Sequence, residues 1–234
     1  MQKNNLLVFF GELRTFEYVV SQLVHLDKVD VIISTWSETR TSEGIYNINI
    51  EKIYKIYPNI KKIFISNLED EKNKLQIDDD AILKNNNWKI FYHWNLIIDS
   101  IKDINYEKII FHRCDLISNW QKILDIKIDT NKIYLHYENY NQPHFDNKNV
   151  FWINDYYFFG DGEIIKKFVK LFNKKNYSER MSSHYNMWEI VYNHNIQIEK
   201  YILMGALINE KNINLYKEKI NKIDYISFEE YENS

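Results

Sequence analysis

Five glycines, two prolines and one cysteine are all that the 234 residues contain of these three types. The lone Cys114 excludes an internal disulfide. No CxxC motif and no closely spaced Cys/His pairs of a structural zinc site occur, so a reducing, cytoplasmic setting is expected. Glycine is scarcest where it would count most. The first turn, Gly11-Glu12-Leu13-Arg14-Thr15, holds one glycine, too few for the pyrophosphate turn of a dehydrogenase or a Walker phosphate loop. Hydride transfer and ATP hydrolysis lose their usual signatures. Charge of one sign is missing too: 30 Lys+Arg against 33 Asp+Glu leave a formal charge of -3. No basic stripe exists to release phosphate counterions, which argues against nucleic acid as a partner. Nor is there a long hydrophobic run. Leu6 to Phe10 is cut short by Glu12 and Arg14, too soon for a signal-peptide core or a membrane span.

What is present is a chain 45% hydrophobic and 27% charged, apolar enough to build a real core. Leu6–Phe10 reads as a buried strand. Phe16 to Val24 has helical spacing, Val29–Ser34 is a β-branched strand, Ile45–Tyr57 reads as a helix stopped by Pro58, and Ile60–Ser66 is a third strand. The polar stretch Leu68–Asn87 reads as a solvated surface segment. Trp88–Ile101 shows the 3.6-residue apolar period of a buried helix, with Trp88, Tyr92 and Trp94 as core. Lys108–Phe111 and Ile133–His136 are further strands. Asp161 is placed to cap a helix over Glu163–Phe172, a second capped helix spans Ser183–Asn193, and Ile196–Leu203 closes the series as a strand. Strands alternating with helices predict one α/β domain over residues 1–209, a doubly wound, mostly parallel sheet with helices on both faces. Residues 210–234 are expected to be a peripheral segment.

Open α/β sheets keep their sites at the carboxyl ends of the strands. The run Ile109-Ile110-Phe111-His112-Arg113-Cys114-Asp115-Leu116 delivers an Arg and an Asp to that edge two residues apart, where an extended chain points both the same way. A carboxylate there can hold a divalent cation, Mn²⁺ or Mg²⁺, bridging two phosphates, and Arg113 can neutralise further phosphate charge. An ion pair that merely ends the strand is the alternative. Arg14, just past the first strand, can reach a diphosphate with two parallel hydrogen bonds. Asp155, with Trp152 before it and aromatic residues after it, has the elements of an acceptor site: a ring to stack on a pyranose and a base to take a hydroxyl proton. A turn at Asn154-Asp155 is the plainer reading. His184, Glu189 and His194 are candidates for a third metal ligand. His136, Tyr137, Tyr140 and His144 are placed in a loop that would close over an acceptor.

In order and spacing, Phe10-Gly11-Glu12-Leu13-Arg14-Thr15-Phe16, Ile32-Ile33-Ser34-Thr35-Trp36, Arg113-Cys114-Asp115-Leu116 and Asn154-Asp155-Tyr156-Tyr157-Phe158-Phe159-Gly160 resemble the WavE-like polysaccharide glycosyltransferases of GT-A-type fold. The resemblance runs over roughly residues 5–200 and carries Arg-x-Asp where such enzymes usually have Asp-x-Asp. It implies a GT-A-like (Rossmann-like) fold and transfer of a sugar from a nucleotide-diphosphate-sugar donor to a hydroxyl of a glycan or glycolipid acceptor, in surface polysaccharide or glycan synthesis. Gly11, Arg14 and Thr35 would then surround the nucleotide, with Arg113 and Asp115 on the diphosphate or metal and Asp155 beside sugar and acceptor. A lipid-linked acceptor would place the enzyme at a membrane surface without a spanning helix. A non-catalytic glycan- or nucleotide-binding module of the same fold is the alternative. A nucleotidyltransferase ranks third, since its Mg²⁺ sites need clustered acids and only Asp115 lies in the cluster.

Overall fold

The structure is a computed structural model that describes residues 4–13, 29–41, 44–56, 60–75, 87–117, 120–138, 152–173, 182–203, 206–207 and 225–227. Its centre is a sheet of eight strands: β1 (Asn5–Phe10), β2 (Val29–Trp36), β5 (Ile60–Ser66), β6 (Lys108–Arg113), β8 (Ile133–Glu138), β9 (Trp152–Asp161), β10 (Ile198–Leu203) and β12 (Tyr225–Ser227). They lie in the order β12-β10-β8-β9-β6-β1-β2-β5. Pairing is parallel between β1 and β2, β1 and β6, β2 and β5, and β8 and β10. It is antiparallel at β6–β9, β8–β9 and β10–β12, so only β9 and β12 run against the other strands. The α/β class with a mostly parallel central sheet is thus the fold observed. Two small ribbons flank it: β3 (Glu38–Thr41) with β4 (Gly44–Asn47), and β7 (Leu116–Ile117) with β11 (Ala206–Leu207). Tyr225–Ser227, in the segment expected to be peripheral, form the edge strand β12 against β10.

An uninterrupted apolar run such as β1 fits a strand covered on both faces. Leu6, Val8 and Phe10 enter one core cluster, and Leu7 and Phe9 the other. The first cluster is packed by α3 (Asn87–Ser100), α5 (Gly162–Lys170) and α6 (Ser183–Asn193). The second receives Ile53 of α1 (Ile50–Ile56) and Ile123 of α4 (Trp120–Asp125). Aromatic rings knit the first face: Phe111 stacks on Phe158 at 4.7 Å, and Trp94 meets Phe158 edge-on at the same separation. Asp161 caps α5, its carboxylate accepting from Glu163 N–H at 2.9 Å and Ile164 N–H at 3.4 Å. Lys108 is buried at the start of β6, where Nζ donates to the carbonyls of Ile123, Leu124 and Ile126 at the end of α4. Burial pushes its pKa down to about 8.

Two expectations need correction. The helix expected over Ile45–Tyr57 begins only at Ile50, because Gly44–Asn47 pair with Glu38–Thr41 as a ribbon and the Asn49 side chain accepts from Lys52 N–H at 2.9 Å, fixing the helix start there. Leu68–Leu75 of the solvated stretch forms α2, a helix with no buried residue, started by the Asn67 side chain, while Asn87 is buried at the head of α3. The helix expected over Phe16 to Val24 lies outside the described residues. Among the described residues no helix is long and apolar enough to cross a membrane.

Candidate functional site

Registers place the site. Phe10 at the end of β1 pairs with Ser34 of β2 on one side and Arg113 of β6 on the other. Just beyond this row the chain turns at Gly11, whose φ of +104° is a left-handed conformation that side chains strain against. Gly11 N–H donates to Ser34 C=O at 3.1 Å, and Cys114 N–H to Phe10 C=O at 3.1 Å, so the three strand ends are tied together. Against this edge lies a cavity of about 210 Å³ lined by Phe10, Gly11, Glu12, Trp36, Lys89, Ile90, His93, Arg113 and Asp115. A smaller one of about 100 Å³ shares Glu12, Trp36 and Lys89 with it and continues past Ser37 and Asn67.

Arg113 anchors the charged side of the cavity. Its Nε and Nη2 donate to the two oxygens of Asp115, each at 2.9 Å, a bidentate pair. Nη1 stands 3.6 Å from Asp155 Oδ1, beyond hydrogen-bond reach, and the guanidinium carbon lies 5.4 Å from the centre of the Tyr156 ring. Burial opposes the charge, but Asp115 and then Asp155 more than offset it and hold the guanidinium above its ordinary pKa. Asp115 uses one edge of the fork. The Nη1 donors make no hydrogen bond among the described residues, while the side chain remains 26% exposed on the cavity wall.

Asp155, expected beside sugar and acceptor, lies within a strand. Asn154-Asp155 is no turn: both belong to the continuous strand β9, and because β9 runs antiparallel to β6 its early residues come alongside the end of β6. Asp155 is 3% exposed, its Oδ2 accepts from Ser183 Oγ at 2.9 Å, and it does not line the cavity. Ser183 opens α6, so a strand end, a second strand and a helix start meet at one guanidinium.

The other expected residues are placed as follows. Thr35 is fully buried in β2, its hydroxyl toward Trp36 C=O at 3.4 Å, and the next residue, Trp36, reaches the cavity instead. Arg14, Tyr140 and His144 lie outside the described residues. His136 is no loop residue; it is buried on β8 and stacks on Tyr156 at 5.8 Å. His184 Nδ1 is 2.9 Å from Ile153 C=O, and His194 caps the end of α6. Glu189 lies within α6. None joins Asp115: among the described residues no group of three or more His, Cys, Asp or Glu side chains is placed to hold a metal ion. Both Asp115 oxygens are paired with Arg113, and among the described residues no second acidic or imidazole ligand stands beside it.

Glu12 and, from α3, Lys89, Ile90 and His93 complete the wall, and the three helix residues carried no motif. Their one signal is spacing: Lys89 and His93 are four apart on the helix and share a face bordering the apolar stripe. His93 is buried, its Nδ1 lies 2.7 Å from Ser34 Oγ, and burial lowers its pKa to about 3.

No family model matches the chain, and no curated protein does. Several solved structures are similar to it at low identity. A glycosyltransferase involved in glycosylation of the major capsid of PBCV-1 is similar at 12% identity and a TM-score of 0.43, covering 95% of this chain and 94% of that one. An active-site mutant of LgtC is similar at 13% identity and TM-score 0.49, covering 83% and 72%. HddC from Yersinia pseudotuberculosis is similar at 11% identity and TM-score 0.44, covering 94% and 99%. Likenesses of this strength carry no conclusion about chemistry. The α/β fold, with its mostly parallel sheet, stands on the strand order itself.

Proposed function

We propose that the chain is a glycosyltransferase of GT-A-like architecture that binds a nucleotide-diphosphate-sugar donor in the cavity at the ends of β1, β2 and β6. One observation carries this reading: Arg113, whose side chain stays partly exposed, lines a cavity together with the Gly11 turn, at the strand edge where open α/β sheets bind ligands. A guanidinium so placed suits a diphosphate. As an acceptor hydroxyl attacks the anomeric carbon, the bond from that carbon to the diphosphate oxygen breaks, the hydroxyl proton passes to the departing diphosphate or to water, and the charge gathering on the nucleoside diphosphate is stabilised by Arg113. Asp115, on the wall, holds the guanidinium plane and faces the ligand. Asp155, expected as the base, lies behind Arg113, and its proposed role becomes orientation of that side chain. Arg14 and the backbone of Gly11 remain proposed contacts of the nucleotide. The acceptor is a glycan or glycolipid hydroxyl, in surface polysaccharide or glycan synthesis, and a lipid-linked acceptor would bring the chain to the cytoplasmic membrane face.

The test is thermal unfolding with UDP, GDP, CDP, dTDP and CMP, each with Mn²⁺, with Mg²⁺ and with EDTA. A nucleotide at a hundredfold excess over its dissociation constant raises apparent stability by about 2.7 kcal/mol. The expected result is a shift that persists in EDTA and disappears in Arg113→Ala. A shift that needs Mn²⁺ and is lost in Asp115→Ala would return Asp115 to the metal-ligand role. No shift with any nucleotide sinks the reading. The closed Arg113–Asp115 pair favours one rival, a binding module without turnover, and hydrolysis or transfer of a donor sugar separates the two.

A further inference from the structure

A nucleotide-diphosphate sugar enters its site as a dianion, and Arg113 by itself does not offset that charge. Asp115 takes two of its donors at 2.9 Å each, and Asp155 stands 3.6 Å from Nη1. Two carboxylates thus face one guanidinium. Asp115 and Glu12 line the cavity as anions, and among the described residues Lys89 is the second cation on its wall. Without Lys89 the charges around the cavity would repel the ligand proposed for it.

The place of Lys89 suits an anion. It is partly exposed and lines both cavities, the larger with Arg113 and the smaller with Ser37 and Asn67, so it stands where they join. It belongs to the first turn of α3, which holds no acidic residue. A lysine at the positive end of a helix sets like charge against like, and an anion bound beside it relieves both. One turn further on, His93 Nδ1 lies 2.7 Å from Ser34 Oγ and fixes α3 over the end of β2. Ser34 and Arg113 flank Phe10 in the sheet, two strand spacings or about 10 Å apart. The two cations are therefore held by different elements, α3 and β6. A flexible four-carbon stem gives the Lys89 ammonium the reach to meet a diphosphate held by Arg113.

We infer that Lys89 holds one phosphate of the donor while Arg113 holds the other, making Lys89 the residue by which the site favours nucleoside diphosphates over monophosphates. This deepens the reading of the cavity as a nucleotide-diphosphate-sugar site and rests on it. Because both cavities share Lys89, the diphosphate lies at their junction. An ammonium is a point charge with rotatable donors, so it serves a phosphate without fixing base or sugar. Its loss is felt through the number of phosphates.

Nucleotide pairs that differ by one phosphate test this. Dissociation constants of UMP and UDP, GMP and GDP, CMP and CDP, and dTMP and dTDP are measured in EDTA for the wild-type chain, Lys89→Met and Lys89→Arg. For the preferred base the diphosphate should bind about tenfold more tightly than the monophosphate. Lys89→Met should cut that advantage to about twofold and Lys89→Arg largely keep it, with monophosphate affinity changed by no more than about twofold. A second measurement uses the wild type and needs no variant to fold: acetylation of Lys89, read by mass spectrometry, should slow with the preferred diphosphate and not with its monophosphate. An equal advantage in Lys89→Met, or acetylation of Lys89 unaffected by the diphosphate, overturns this inference and spares the nucleotide reading. Failure of every nucleotide to bind overturns both.

Discussion

Two buried histidines border the site, and their surroundings dictate how each answers to pH. His112, on β6 next to Arg113, has its Nδ1 2.8 Å from Arg113 C=O, and burial lowers its pKa to about 4. His93 falls to about 3 for the same reason. In the unfolded chain both titrate near 6.5, so as pH drops below that value the unfolded state takes up protons the native state refuses. Both contribute stability that is complete above pH 6.5. It is lost as the pH falls, down to about 4 for His112 and about 3 for His93. Each should remove about 1.4 kcal/mol per pH unit over its window. Urea unfolding at pH 7.5 and 5.5 measures this, and His112→Gln should show a shallower dependence than the wild type. Equal slopes would mean that the imidazole is not kept neutral. Arg113 was legible in the sequence as a strand-end cation. Its second carboxylate partner was not, since 42 residues separate it from Asp155.

Helices begin where side chains satisfy their first N–H groups, and at this scale the chain is easy to read. Asp161 was recognisable as a cap and is one. Asp161→Ala should cost about 1 kcal/mol in urea unfolding and Asp161→Asn much less. The next residue obeys a rule no local pattern reveals. A Cβ on Gly162 would stand 2.3 Å from Tyr106 C=O, a backbone atom that cannot step aside cheaply. Gly162→Ala should therefore destabilise by about 1–3 kcal/mol through overpacking, against the small gain alanine gives an unobstructed helix. A neutral or stabilising result would show that the two segments can part. The misread element, Ile45–Tyr57, fails for a related reason: the apolar residues Ile45, Ile53 and Ile56 match a helical period, while pairing with Glu38–Thr41 takes Gly44–Asn47 into a ribbon. Strand partners distant in sequence leave no mark on periodicity.

Over the molecule as a whole, one antiparallel strand inside a mostly parallel sheet makes the site. Had β9 run with its neighbours, Asp155 would lie away from the end of β6, and Arg113 would have Asp115 alone. As built, Asp155 links β9 to Arg113 of β6 and to Ser183 of α6. Asp155→Ala strips a buried guanidinium of one of two carboxylates and leaves Ser183 without its acceptor. It should cost about 2–4 kcal/mol, and Ser183→Ala about 1 kcal/mol, by urea unfolding. A loss below that of Ser183→Ala would mean that the 3.6 Å contact between Nη1 and Oδ1 contributes nothing. By itself the sequence determined β1, β2, β5, β6, β8 and β10, because uninterrupted apolar runs such as Leu6–Phe10 favour buried strands in a chain of this composition. It also determined the cap at Asp161, and the arrival of Arg113 and Asp115 at a strand end, because these depend on residues close in the chain. Tertiary structure alone decided that Trp36, Lys89 and His93 share a cavity with them, and that Asp155 lies beneath Arg113. Those neighbours are set by strand order and direction, which follow from the packing of the whole core.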